Sequence, residues 1–342
     1  MADSVLTKAI DTVASRRDLD IDQAAAVLRE VMAGNASEVE TAAFLIGLRT
    51  KGETVDEIAG LARTMREFAR PVAAERGDLL DTAGTGGGTL TFNVSTTAAL
   101  VAAAAGCPVA KHGNRSSTSR SGSADVLEAL GARIDLEPEA VATCIDELGF
   151  GFMFAPVHHP AMRHVVPVRK ALAVRTIFNF LGPLTNPAGA THQIIGVSDP
   201  GYLEVMAEAL ARLGGQSALV VSSEDGLDEI SVSAPTRVAE LRAGRIERFT
   251  VTPEEFGVER APVEELGAGT PEENAAITRR VLAGEPGAAR SIVIVNAAAA
   301  IYAAGKAESM RDAAGVAAEA IDSGAALDLL ERFVARTQEL AR

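Results

Sequence analysis

From Asp81 to Gly131 the chain reads DTAGTGGGTLTFNVSTTAALVAAAAGCPVAKHGNRSSTSRSGSADVLEALG, which sets two glycine- and hydroxyl-rich loops close together around one apolar helix. Three consecutive glycines, Gly86, Gly87 and Gly88, come soon after the short apolar strand around Leu79 and Leu80, and they let backbone N–H groups approach an anion closely. Thr91, Asn93, Ser95, Thr96 and Thr97 follow where a helix should begin, so side-chain donors and the positive helix end can act on one ligand. The layout is that of a phosphate-binding site. Two familiar alternatives fail: no Gly-Lys-Ser/Thr closes a Walker loop, and Thr89 stands where a dinucleotide fingerprint has its last Gly or Ala.

Charge distribution points the same way. The chain carries a net charge of −14, yet no Asp or Glu occurs between Asp81 and Asp125, and none between Leu148 and Ser198. With 46 acidic residues in 342, even spreading would place about a dozen in these two windows. Buried segments would also lack carboxylates, but the second window holds Arg163, Arg169, Lys170, Arg175 and four of the five histidines, and arginines are seldom buried unpaired. The windows therefore describe an electropositive pocket for a polyanionic small molecule in an otherwise anionic protein. Lys111, His112, Asn114 and Arg115 supply cations and polar groups after a second strand, and Ser223-Glu224-Asp225-Gly226-Leu227-Asp228-Glu229 offers adjacent carboxylates suited to a partly hydrated Mg²⁺ that also touches substrate phosphates.

A chain of this length with 47% hydrophobic residues buries a full core. It has no run of eighteen apolar residues, and its N-terminus lacks the apolar core of a signal peptide, so a cytoplasmic protein without a membrane partner is expected. Cys107 and Cys144 are isolated in sequence and read as packing residues, and the neighbouring His158 and His159 lack an evident third ligand for a transition metal. The acidic balance and the 4% aromatic content argue against a nucleic-acid surface.

Asp20 with Gln23, Ser37 with Glu40 and Thr54 with Glu57 resemble capping boxes, so the first seventy residues read as consecutive short helices. After Pro71 strand-like runs alternate with Ala-rich helices, the pattern of an α/β domain. Strands are predicted at Leu79–Asp81, Pro108–Lys111, Phe150–Ala155, Gln193–Val197, Ala218–Ser222 and Ile292–Val295, with a hairpin from Val238 to Val251 turning at Ala243–Gly244. The segment Pro167–Gly189 returns to helical character. The expected division is a small helical domain over 1–72, joined by about 163–186, and a large α/β domain over 73–342 that binds the polyanion.

Together, GTGGGTLTFNVST, KHGNRSSTSRSGSADVLEALG, HHPAMRHVVPVRKALAVRTIFNFLGPLTNPAG and EDGLDEIS strongly resemble the anthranilate phosphoribosyltransferase family of tryptophan biosynthesis, in the family's order and over essentially the whole chain. The resemblance implies an α/β fold of the nucleoside phosphorylase type with a small helical domain that mediates homodimerisation. It also implies a glycosyltransferase reaction: the amine of anthranilate displaces pyrophosphate from 5-phosphoribosyl pyrophosphate (PRPP), with Mg²⁺, two ions per active site. By matching position, Gly84, Thr85, Gly86, Gly87, Thr91, Asn93, Ser95, Thr96, Lys111 and Ser119 hold PRPP, and Ser95, Asp228 and Glu229 serve the metal. Gly84, His112, Asn114, His159, Arg169, Gly182 and Pro183 take anthranilate, with Arg169 on its carboxylate. No residue is assigned acid–base chemistry, because an aromatic amine is already nucleophilic; Arg169, Lys111 and Asn114 position the reactants. The chain departs from the family at Gly88, where the glycine loop normally ends in Asp and is one residue longer, and this predicts an altered Mg²⁺ dependence. The competing readings are the same transfer to another aromatic amine, pyrimidine nucleoside phosphorolysis on the same fold, and a non-catalytic relative that binds nucleic acid.

Overall fold

The computed structural model describes residues 4–116 and 120–341. Four helices open the chain, α1 (Val5–Ala14), α2 (Ile21–Met32), α3 (Glu38–Lys51) and α4 (Val55–Glu67), and the three predicted capping boxes start α2, α3 and α4. Each box satisfies N–H groups that a helix start would otherwise leave unpaired. Glu57 does more than cap: its buried carboxylate also accepts from the Leu19 N–H at 3.0 Å and pairs with Lys51 at 3.0 Å, which fastens the start of α4 to the α1–α2 turn.

The remainder alternates strands and helices: β1 (Leu80–Gly84), α5 (Val94–Ala104), β2 (Val109–Gly113), α6 (Ser123–Ala129), α7 (Pro138–Leu148), β3 (Phe150–Phe154), short helices α8 (Ala155–His158), α9 (Val166–Leu172) and α10 (Phe178–Leu181), β4 (His192–Gly196), α11 (Leu203–Arg212) and β5 (Ser217–Ser223). The hairpin β6 (Thr236–Arg242) and β7 (Arg245–Val251) follows, then α12 (Pro271–Leu282), α13 (Ala288–Ala303), α14 (Met310–Asp322) and α15 (Ala325–Leu340). Ala243 and Gly244 both have positive φ at the hairpin turn, as a two-residue connection matching strand twist requires. The strands form one seven-stranded sheet in the order β3-β2-β1-β4-β5-β6-β7, parallel through β5 and antiparallel beyond it.

The two faces of that sheet bury different partners. Leu219 and Val221 of β5 belong to a core with α5, α7, α13 and α15, while Ala218 and Val220 share a second core with Leu48, Ile58, Val168, Phe178 and Leu210. Alternation along a fully buried strand thus fixes α1–α4, α9 and α10 to one face. Five of the six predicted strands are present. Ile292–Val295 is the exception: it lies in α13, a helix buried almost all round between the sheet and its neighbouring helices, where packing overrides the β preference of a run of Ile and Val. Within the same helix the buried Asn296 side chain accepts from the Ile230 N–H at 2.9 Å and donates to the Ile230 carbonyl at 2.9 Å. Asn296→Ala leaves both backbone groups unpaired. Urea unfolding of that variant is expected to show a loss of about 2–3 kcal/mol.

Candidate active site

The strand order turns back between β1 and β4, since β1 leads outward to β2 on one side while β4 leads to β5 on the other. Open parallel sheets bind ligands in the crevice beyond the carboxyl ends of strands at such a point. Gly84 ends β1 there, beside Gly196 at the end of β4. His112 and Gly113 end β2, β3 leads to His158 and His159, and β5 leads to the 225–229 loop. Segments distant in sequence therefore meet at one edge.

The glycine loop is held by direct contacts. Thr85 N–H donates to the Gly196 carbonyl at 2.8 Å, Gly86 N–H donates to Asp228 Oδ2 at 3.0 Å, and Thr89 N–H donates to the Gly226 carbonyl at 2.9 Å. Gly87 has φ +88°, and a Cβ there would collide with the Arg175 guanidinium; one on Gly88 would collide with the Gly226 carbonyl. An Asp at position 88 is therefore excluded by packing unless the loop moves. Thr91 bridges Gly267 at the far end. Asn93 caps α5 by position, but its side chain is engaged within the protein: Oδ1 accepts from Ser121 at 2.9 Å and Asn274 at 2.9 Å, and Nδ2 donates to the Ser121 carbonyl at 3.2 Å. The buried hydroxyls of Thr85 and Thr96 have no hydrogen-bond partner among the described residues.

Lys111 is also engaged. Its buried ammonium donates to the Thr82 carbonyl and, at 3.1 Å, to Thr82 Oγ1. Burial lowers the Lys111 pKa, while Asp81 and Glu229 hold it up. Asp228 and Glu229 are half-buried. Desolvation and then the neighbouring Asp228 push the Glu229 carboxyl up to about 8, although the Ser95 N–H donates to it. Burial likewise raises Asp228 against its hydrogen bond from Gly86. Two carboxylates that repel each other at a helix start beside a phosphate loop fit a divalent cation, with Ser95 next to Glu229. No group of three or more His, Cys, Asp or Glu able to hold a metal occurs among the described residues, and Mg²⁺ sites typically use only one or two carboxylates, with water and phosphate oxygens as the other ligands.

At the end of β2 and beyond β3, His112 and His159 pack ring against ring, centroids 5.0 Å apart. His112 Nδ1 donates to the Gly182 carbonyl at 3.2 Å, which leaves Nε2 as an acceptor; neither His112 Nε2 nor His159 Nε2 has a partner among the described residues. Burial and then His159 push His112 well below the usual histidine range, and burial and then His158 lower His159 to about 4. Pro183 is buried with its carbonyl accepting from Gln193 at 2.7 Å. Arg169 is half-buried, 5.8 Å from the Phe178 ring, with a pKa lowered by desolvation alone, so no carboxylate neutralises it among the described residues. Asn114 is exposed, its Oδ1 accepting from the Arg115 N–H at 2.7 Å. Arg115, read from sequence as a pocket cation, is instead paired with Asp125 and Glu128 at 2.8 Å each. Ser119 lies outside the described residues.

The sequence reading left several neighbours of the site without a role. Asn186 donates to Asp81 at 2.8 Å and to the Ala110 carbonyl at 2.8 Å, fixing the LGPLTNP loop to β1 and β2. Burial alone would raise the Asp225 carboxyl, yet hydrogen bonds from Ser223, Ser231 and Ser233 hold it below the usual range and shape the loop that carries Asp228. Arg175 and Ser198 both donate to the Gly86 carbonyl at 3.0 Å. Arg175 lies in the second carboxylate-free window, which was the available signal; the others are legible only in three dimensions.

The neutral burial of His159 has a stability consequence. An unfolded histidine protonates near pH 6.5 and this one only near 4, so stability is complete above about 6.5 and declines as pH falls through that interval. Between pH 7.5 and 5 the decline due to His159 amounts to about 2 kcal/mol. Urea titrations of wild type and His159→Asn at both pH values should show a smaller decline in the variant; equal declines would refute the buried neutral ring.

Known proteins resemble this chain in sequence and in fold. Residues 76–327 match the glycosyl transferase family a/b domain, and residues 7–69 match the helical bundle domain of the glycosyl transferase family. The chain is 53% identical over 329 residues to the anthranilate phosphoribosyltransferase of Symbiobacterium thermophilum, covering 96% of each chain, and 53% identical over 339 residues to that of Rubrobacter xylanophilus, covering 98% of this chain and 99% of the relative. The crystal structure of the anthranilate phosphoribosyltransferase from Thermus thermophilus superposes with a TM-score of 0.92 at 51% identity, covering 96% of this chain and 99% of that one. The Saccharomyces cerevisiae enzyme in complex with PRPP and Mg superposes with a TM-score of 0.90 at 28% identity, covering 98% of each. Sequence and fold agree over nearly the whole chain, and the chain belongs to the anthranilate phosphoribosyltransferase family.

Proposed function

We propose that the crevice beyond β1 and β4 transfers the phosphoribosyl group of PRPP to the amine of anthranilate, giving N-(5-phosphoribosyl)anthranilate and pyrophosphate. One observation carries the reading. The glycine loop with Asp228 and Glu229 lies beyond the ends of β1 and β5, and His112 and His159, each with an unpartnered Nε2 among the described residues and His112 held by Gly182, lie at the end of β2 and beyond β3. Donor and acceptor thus have separate, chemically suited walls. The Gly84–Gly87 loop and the hydroxyls of Thr85, Thr91, Ser95 and Thr96 form the PRPP wall. Asn93 and Lys111 support that wall from behind, through the network to Ser121 and Asn274 and the bonds to Thr82. Ser119 belongs to the same proposed set by matching position.

Arg169, an unneutralised guanidinium, pairs with the anthranilate carboxylate and so aims the amine, while Asn114, Gly84 and Pro183 border its path. His112 and His159 stay neutral and offer Nε2 as acceptors to the amine hydrogens. Charge grows on the pyrophosphate as the bond to the ribosyl carbon weakens, and the hydroxyls of Thr85 and Thr96, which have no partner among the described residues, supply donors to it. Asp228, Glu229 and Ser95 would hold Mg²⁺, which supplies further neutralisation at the phosphates. Two ions per site form part of the proposal, and a calorimetric Mg²⁺ titration with PRPP counts them. Missing a carboxylate at position 88, the loop should require Mg²⁺ differently from relatives that have one there.

The domain division at residue 72, with about 163–186 returning to the helical part, is likewise proposed; packing of α9 and α10 into the second core with α1–α4 supports it. A homodimer through the helical part is supported by α3, which buries Phe44, Leu45 and Leu48 on one side and exposes Val39, Ala43 and Ile46 at i, i+4 and i+7 on the other. A cytoplasmic location accords with two free, buried thiols, Cys107 and Cys144. No described helix is long and apolar enough to cross a membrane.

Loss of anthranilate fluorescence should require protein, PRPP and Mg²⁺ together and be matched by pyrophosphate release. Thymidine or uridine with phosphate should give no reaction. In Arg169→Ala the anthranilate KM should rise at least tenfold, with the PRPP KM changed less than threefold, since an aimed charge-assisted pair is worth about 1.5–3 kcal/mol. Equal effects on both substrates count against the assignment. For the dimer, light scattering of Val39→Glu/Ile46→Glu should give half the wild-type mass, and an unchanged mass rejects this face as the interface.

A further inference from the structure

Arg175 sits between α9 and α10, on the path joining the helical part to the sheet, and it touches the glycine loop directly. Its Nη1 donates to the Gly86 carbonyl at 3.0 Å and lies 3.3 Å from Ser198 Oγ, which itself donates to the same carbonyl at 3.0 Å. The N–H of Gly86 is held from the opposite side by Asp228. Gly86 is therefore clamped through both its polar backbone groups, one by a cation and one by a carboxylate. Behind the guanidinium, the Phe180 ring lies 5.5 Å from its centre and stacks on Tyr202 at 3.9 Å and 15°. The Tyr202 hydroxyl donates to Glu53 Oε2 at 2.8 Å, in the turn between α3 and α4. An unbroken line of contacts thus runs from the helical part to the phosphate loop.

We propose that Arg175 is a positioning residue for PRPP: it orders the Gly86–Gly87 backbone before the substrate arrives and makes that order depend on the helical part through Phe180, Tyr202 and Glu53. The proposal rests on the PRPP-binding reading above. Physical necessity favours such a device, because consecutive glycines lose more conformational freedom on ordering than any other residues. A loop left free would lose that freedom at the moment of binding and weaken it, whereas a clamped loop has lost it on folding. The cost of removing the clamp falls on PRPP affinity and leaves the reacting atoms untouched. Lysine cannot replace Arg175, since a single ammonium lacks the planar fork that reaches the carbonyl while stacking on Phe180.

The test combines calorimetry of PRPP with Mg²⁺ on the intact protein, hydrogen exchange of peptides spanning 84–92, and steady-state kinetics, in wild type, Arg175→Gln, Arg175→Lys, Tyr202→Phe and Ser198→Ala. Expected for Arg175→Gln are PRPP binding weakened about tenfold or more, faster exchange across the loop, a kcat within about threefold of wild type and an unchanged anthranilate KM. Arg175→Lys should not restore binding, and Tyr202→Phe, remote from the loop, should weaken it about two- to fivefold. Should Arg175→Gln fail to fold, Ser198→Ala removes the companion bond and is expected to accelerate exchange and weaken binding about threefold. Unchanged affinity and exchange in the folded variants overturn the clamp. Restoration by lysine overturns positioning in favour of a direct charge contact, and unaltered binding in Tyr202→Phe overturns the link to the helical part. Absence of PRPP binding in wild type would instead sink the functional reading, with loop exchange still deciding the clamp.

Discussion

The Asp81 carboxylate is the contact on which the rest of the crevice depends. It is buried at the middle of the parallel sheet, where it accepts from the His112 N–H of β2 at 3.1 Å and from Asn186 at 2.8 Å. Burial raises its pKa, and the charge of Lys111 is the main influence holding it down. A carboxylate in that position is tolerable only when its oxygens are matched, and removing one partner of a buried charge costs about 3–5 kcal/mol. Register between β1 and β2, the placement of the LGPLTNP loop and the orientation of Lys111 are thereby set together. The Gly182 carbonyl that fixes the His112 tautomer lies in that same loop.

From this anchor the two walls of the crevice acquire different chemistry. On one side lie the glycine backbone and its neighbouring hydroxyls; there Lys111 donates to Thr82 and Arg175 Nη1 to Gly86, while Arg175 Nη2 has no partner among the described residues. On the other lie imidazoles that burial keeps neutral and the Arg169 guanidinium, which no carboxylate neutralises among the described residues. Such a division suits the proposed transfer to an aromatic amine, where the nucleophile needs aiming more than deprotonation and the leaving group needs donors.

Much of this was legible in order but little of it in contact. The capping boxes at Asp20, Ser37 and Thr54 depend on residues three apart, so they could be read directly and are present. The run Ile292–Val295 misled because a short apolar stretch carries no period that separates a strand from a helix buried all round. Arg115 illustrates another limit. Its charge suggested a pocket cation, yet α6 brings Asp125 and Glu128 to it, and a paired guanidinium is no longer an anion site. Gly88 reads as a missing charge in the sequence, and its packing against the Gly226 carbonyl supplies the steric reason.

By itself the sequence determined the helical start, the alternation that builds the sheet, the glycine loop and the residues able to meet phosphate, carboxylate and metal, because these follow from local spacing and side-chain chemistry. Tertiary structure alone decided which of those groups are engaged within the protein and which keep open polar atoms: Asn93 and Lys111 bonded to neighbouring residues, His112 and His159 left with open acceptors, Asp228 placed on Gly86, and Arg175 placed across from it. The reason is geometric. Each of these pairings joins residues tens to more than a hundred positions apart, and only the folding of the strand ends onto one edge brings their polar atoms within hydrogen-bonding range.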